Sequence, residues 1–169
     1  MAVAENGDFA DFYAATFRPL TLQLYAYTGD LTEAQDVVQE AFSRALPRWS
    51  KLSGYDDPAA WVRRVAWNLA TSRWRRARRL LDLTRHQRVE PVAGPTPDRI
   101  ALMEALTTLP PRHRQAVVLH YLADLPVNEI ADIAGVAEGT VKSWLHRARA
   151  ALAIRMADRE PAGRETEDV

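Results

Sequence analysis

PVNEIADIAGVAEGTVKSWLHRAR, residues 126–149, is the stretch on which the reading of this chain turns. Two short apolar-periodic runs flank a glycine. Ile130 is apolar, Ala131 is small enough for a close helix contact, and Gly135 sits where a tight turn needs positive φ. Val136, Val141 and Trp144 supply further core contacts. Glu138 opens the second run, where a carboxylate suits the helix dipole. The pattern predicts a helix-turn-helix, with helices over 126–134 and from 138 to about 156. The second helix of such a unit lays its first turns on base edges in the major groove. Those residues are Glu138, Gly139, Thr140, Lys142, Ser143, His146 and Arg147, with Arg149 better placed for a phosphate than a base. A plain helical hairpin is the competing reading.

Residues 98–109 predict a further helix, ended by Pro110-Pro111, and residues 111–122 another. Residues 84–97 hold Pro91, Gly94, Pro95 and Pro97 and read as a linker. In front of it, Asp57-Pro58 is an N-cap followed by proline at the first helical position, so a helix starts there and runs to about Leu81. One face offers Val62, Val65, Ala66 and Leu69 to a core. Another carries Arg64, Trp67, Asn68, Thr71, Trp74, Arg75 and Arg78 at steps of three and four. Arginine neutralises phosphate, indole stacks on an unpaired base, and an Asn amide can pair with a base edge. That mixture suits melted DNA better than intact duplex. Trp61 belongs with the apolar face, while Trp67 and Trp74 fit a core and a base-stacking role equally. Further back, Asp8 is expected to cap a helix with Phe9, Phe12, Phe17, Leu20 and Leu24 on its apolar side, ending near Gly29. Thr32 is expected to open the next, with Gln35 at capping-box spacing. That helix should bury Ala34, Val38, Ala41, Phe42 and Ala45, and expose Glu33, Asp36, Gln39, Glu40 and Ser43. Residues 47–57 read as a loop.

Composition narrows the class. The 169 residues carry 22 basic and 22 acidic side chains, a net charge of zero that hides a segregated pattern. The start is acidic, residues 63–88 are rich in arginine, and the end is acidic again; a polyanion responds to that local patch. There is no cysteine, which excludes disulfides and thiolate chemistry and fits a reducing cytoplasm. No apolar run approaches the roughly 20 residues of a membrane helix, so no membrane insertion is expected, and the polar start does not resemble a secretory signal. His86, His113, His120 and His146 stand at no ligand spacing. No nucleophile sits beside a base, so neither an enzyme nor a metal or other cofactor is expected.

The order of motifs resembles a known family. DVVQEAF (36–42) is similar to region 2.2 of bacterial RNA polymerase sigma factors, and WVRRVAWNLA (61–70) to their regions 2.3 and 2.4. LPPRHRQAVV (109–118) resembles the opening of region 4, and 125–149 resembles region 4.2. With no room for region 1.1 or a region 3 domain, the chain is identified as a member of the small extracytoplasmic-function group, in wording that looks actinobacterial. The resemblance implies an all-α fold of two small helical domains: a region 2 domain over 8–83, the linker over 84–97, and a region 4 domain over 98–156, before a disordered tail over 157–169. It implies a factor that directs recognition of −10 and −35 promoter elements, promoter melting and transcription initiation. Asp36, Gln39 and Glu40 would dock on the clamp helices of polymerase β′, and the region 4 domain would touch the β flap. Leu52, Gly54, Tyr55 and Asn68 would hold a base flipped from the −10 element, beside Arg63, Arg64, Trp67, Thr71, Arg73, Arg75 and Arg76. An anti-sigma factor is the implied regulator. Lys142 stands where the family often has Arg, His146 where an aromatic or Arg is frequent, and Leu52 where an aromatic is usual, so base preference does not transfer.

A response regulator or repressor would share residues 126–149. It would need a receiver or ligand domain in front, and residues 8–81 lack the alternating strands of a receiver.

Overall fold

The computed structural model describes residues 2–81 and 97–157. The chain divides into two compact units, Met1–Thr96 and Pro97–Val169. Among the described residues every regular element is helical. The expected linker, apart from Pro97, and the expected tail, apart from Ala157, lie outside them.

In the first unit α1 (Ala2–Thr28), α2 (Leu31–Ala45) and α4 (Pro58–Leu81) pack on one another, with the short α3 (Trp49–Leu52) against α1. Helix α1 starts at Ala2, so Asp8 lies inside it and does not cap it. Its end is where glycine puts it: Gly29 has φ +76° and its N–H donates to Tyr25 O at 2.8 Å. The cap of α2 is Asp30, not Thr32. The Asp30 carboxylate accepts from the Glu33 N–H at 3.0 Å, and Asp30 itself is extended, as a cap must be. The buried face of α2 holds the five expected residues and also Val37.

Residues 47–57 are not the open loop expected. A 3-10 turn (Leu46–Arg48) leads into α3, because Trp49 and Leu52, three apart, both reach the core. The Trp49 ring stacks on Phe12 at 4.8 Å and meets Phe9 edge-on at 5.2 Å; Leu52 is 2% exposed. Burying an indole and a leucine outweighs the turn-forming character of their neighbours. The start of α4 follows its local signal, with the Asp57 carboxylate accepting from Ala60 N–H at 3.0 Å.

The second unit consists of α5 (Pro97–Thr107), α6 (Pro111–Val117) extended by a wider π turn (Val118–Leu122), α7 (Val127–Ala134) and α8 (Glu138–Ala157). Leu106, Leu119, Ile130, Val141, Leu145 and Ala148 form its core. Arg114 is almost fully buried, and its guanidinium donates to Thr107 O at 2.8 Å and Leu109 O at 3.3 Å. It thereby satisfies carbonyls that the end of α5 leaves open. Gly135 adopts φ +67°, ψ 40° and closes α7.

A methyl group built on Gly135 or on Gly139 meets nothing within 4 Å, so only backbone conformation separates the two sites. Gly135→Ala should cost about 1–2 kcal/mol. Gly139→Ala, at a helical position without positive φ, should stabilise by about 0.4–1 kcal/mol. Urea unfolding of both variants checks this; equal effects would refute the assigned backbone conformations.

Candidate nucleic-acid interface

Helix α8 separates its two jobs by angle. Val141, Leu145 and Ala148, at steps of four and three, are buried. Glu138, Gly139, Lys142, His146, Arg147 and Arg149 are exposed, with Thr140 and Ser143 partly so. Every expected recognition residue therefore reaches the surface. Of the expected core contacts, Val141 is fully buried while Val136 and Trp144 are partly exposed. Lys142 lies 4.0 Å from the Glu138 carboxylate one turn back; a pair this exposed is weak and leaves the ammonium free to turn elsewhere. The Arg149 Nε donates to Leu145 O at 3.2 Å.

Arg112 of α6 braces this helix, a role of which local sequence pattern gave no sign. Arg112 places its guanidinium 5.9 Å from the Trp144 ring centre and donates to Ala134 O and Gln115 Oε1, each at 3.4 Å. One cation thus spans the last carbonyl of α7 and the indole of α8. His113 is partly buried; that burial, then the positive charge of Arg147, holds its imidazole below the ordinary value. His120 has its Nδ1 3.0 Å from Leu125 O, a packing contact. Among the described residues no cluster of three or more His, Cys, Asp or Glu is arranged to hold a metal.

Helix α4 corrects the broad stripe read from its sequence. Trp67 is fully buried, with Tyr27 of α1 edge-on at 5.1 Å. Thr71 is also buried and turns its hydroxyl back to Trp67 O at 2.9 Å and Asn68 O at 3.2 Å. Leu52, on α3, is a core residue. All three side chains belong to the packed interior of the unit. The cause is that both α1 and α2 pack on α4, so its buried arc is wider than one neighbour would make it. What remains outside is a narrower line. Arg64, Asn68 and Arg75 are exposed and recur at four and seven residues, so they stand above one another on one face. Arg76 is exposed too, and Arg63 is partly so. Trp74 is partly exposed, with the Arg78 guanidinium 5.0 Å from its ring centre. Gly54 and Tyr55 lie exposed in the turn after α3.

The outward face of α2 carries Asp36 and Gln39, both exposed; Gln39 accepts from the Tyr13 hydroxyl at 3.0 Å. Glu40 is different. Its carboxylate binds Arg44 on its own helix and Arg73 on α4. Burial pushes the Glu40 carboxyl up, but hydrogen bonds from Arg73 and Arg44 outweigh it and set the group below the ordinary range. Glu33, two turns back on the same face, is raised by burial and by Asp30, with Arg73 acting in the opposite sense.

Comparison with known proteins covers both units. The model for "Sigma-70 region 2" matches residues 12–80, and that for "Sigma-70, region 4" matches residues 99–152. An "RNA polymerase sigma-E factor" of Streptomyces antibioticus is 37% identical over 142 residues, 82% of this chain and 78% of that protein. "ECF RNA polymerase sigma factor SigL" of Mycobacterium tuberculosis is 33% identical over 155 residues, 86% of this chain and 85% of that one. Among solved structures, the sigma factor RpoE from Bartonella quintana, recorded in complex with the anti-sigma factor NepR, superposes with a TM-score of 0.75. It is 22% identical, over 89% of this chain and 97% of that chain, a likeness of fold.

Burial separates two tryptophans that sequence pattern treats alike. Trp67→Ala should lower unfolding free energy by about 3–5 kcal/mol, and Trp74→Ala by no more than about 1 kcal/mol. Chemical denaturation followed by far-UV circular dichroism measures both. A Trp67→Ala protein as stable as its parent would move Trp67 back among the surface candidates.

Proposed function

The chain belongs to the sigma-70 family of RNA polymerase sigma factors, in its extracytoplasmic-function group, and from that premise we propose how its residues divide promoter recognition. As a sigma factor it directs promoter recognition and transcription initiation. The observation that carries the division is the exposed line of Arg64, Asn68 and Arg75 on α4, set above buried Trp67 and Thr71.

On this reading α4 faces the melted −10 element. Asn68 pairs with the edge of an unstacked base, whose extrusion costs a few kcal/mol. Arg64 and Arg75 hold the phosphates on either side of it, and Arg63 and Arg76 extend the grip. The turn holding Gly54 and Tyr55 supplies the far wall of the base pocket, with Tyr55 as the aromatic surface where Leu52 is unavailable. Helix α8 enters the major groove of the −35 element, with Lys142, Ser143 and His146 towards bases and Arg147 and Arg149 towards phosphates. The carboxylate of Asp36 and the amide of Gln39, both outward on α2, meet the clamp helices of β′, and the second unit meets the β flap. The chemistry of RNA synthesis belongs to the polymerase, and this chain contributes binding energy. The domain division proposed is region 2 over 8–83 and region 4 over 98–156, joined by the linker. Its place of action is the cytoplasm, where polymerase works; no helix among the described residues is long and apolar enough to cross a membrane. An anti-sigma factor, of the kind recorded with the Bartonella protein, would regulate by covering the same faces.

Asn68→Ala should reduce open-complex formation on a promoter mapped from transcript 5′ ends by about tenfold, the equivalent of one base contact, with core-polymerase binding unchanged. Permanganate reactivity and a pull-down give the two readouts, and undiminished melting would remove Asn68 from the base pocket. Lys142→Ala combined with Arg147→Ala should weaken holoenzyme binding to the upstream duplex and flatten its salt dependence by about 0.9 in log–log slope per lost phosphate contact. A footprint over the upstream element with wild-type affinity and slope would show that α8 is misassigned.

A further inference from the structure

Arg73 stands on α4 at the margin of the arginine-rich face, yet its guanidinium is turned to Glu40 on α2, thirty-three residues away in sequence. Arg44 reaches the other oxygen of the same carboxylate from one turn along α2. Two guanidiniums from two helices therefore converge on one anion. The site is open: the side chains of Arg44, Arg73 and Glu40 are 51%, 36% and 34% exposed. Two arginine forks around one singly charged group is the arrangement by which proteins hold a phosphate.

We propose that Arg44 and Arg73 form a binding site for a DNA backbone phosphate, and that Glu40 is its built-in occupant in the free chain. This rests on the reading that the exposed face of α4 takes DNA. With Glu40 in place the three side chains sum to a single positive charge. With the carboxylate withdrawn they present two. Glu40 lies on the same helix face as Asp36 and Gln39, so a partner that sets a basic side chain against that face competes for Glu40 and frees both arginines. Docking on α2 and gripping DNA on α4 are then linked through one carboxylate, without any movement of the backbone. Because each of the three side chains is at least a third exposed, the effect is of modest size and sensitive to salt.

The test uses the full chain and a fluorescein-labelled oligothymidylate, followed by anisotropy across a salt series. E40Q should bind about two- to fivefold more tightly than the parent, with a log–log salt slope steeper by about 0.7 for each phosphate engaged. The gain must vanish in an R44A/R73A background, where there is no site to vacate. An E40Q protein with the parent's affinity and slope overturns the proposal. So does a gain that persists without the two arginines, which would be a long-range charge effect. E40A serves as a second variant, and matched circular dichroism confirms that the fold is kept. R64A/R75A separates the two readings: if it leaves binding unchanged, the α4 face itself is wrong, whereas weakened binding with no E40Q gain removes the Arg44–Arg73 site alone.

Discussion

The packing of Trp67 against Tyr27 fixes which side of α4 faces the core of the first unit. It places an indole on the inner side of a helix whose sequence is otherwise rich in arginine, and so sets the rotation of α4 about its own axis. Once Trp67 is inside, Val62, Ala66 and Ala70 follow it, and Thr71 can satisfy its hydroxyl only on its own backbone. Arg64, Asn68 and Arg75 are left outside as a consequence. A rotation of one residue would bury Asn68 and expose the indole. The specificity of the outer face is thus held by the energy of the inner one, about 3–5 kcal/mol in the indole alone.

The second unit solves the same problem with backbone geometry. Gly135 turns the chain between α7 and α8 in a conformation that other residues adopt only under strain. Arg112 then braces the junction from α6 by reaching the last carbonyl of α7 and the face of Trp144. Val141 and Leu145 pin α8 to the core, and the angular spacing of a helix does the rest. In both units a helix that presents polar groups outward is positioned by what it buries.

Features that depend on a few adjacent residues were legible in the sequence. Asp57-Pro58 begins a helix, Gly29 and Gly135 end helices, and the helix-turn-helix lies where its glycine, its small residue and its apolar spacing put it. Competing local signals were harder to rank. Asp30 three residues before Glu33 and Thr32 three before Gln35 both have cap spacing, and it is the Asp30 carboxylate that takes the Glu33 N–H. Asp8 resembles a cap, but a helix already under way passes through it. The width of a buried arc was not legible, because it depends on how many helices lie against it. That is why sequence pattern puts Thr71 on the outer stripe and leaves Trp67 between core and base stacking. The Glu40–Arg73 pair left no local trace at all, since its partners meet only after α2 and α4 have docked.

In the division of labour proposed above, one face of α4 meets melted DNA while α8 meets duplex. Site-specific photocrosslinking in the holoenzyme tests it most directly, with a benzophenone side chain at position 68 or at position 146 and a promoter labelled on each strand. Position 68 should crosslink to the −10 element only in open complexes. Position 146 should crosslink to the upstream duplex before and after melting. Crosslinks from position 68 to unmelted upstream DNA, or equal crosslinking from position 68 in closed and open complexes, would contradict it.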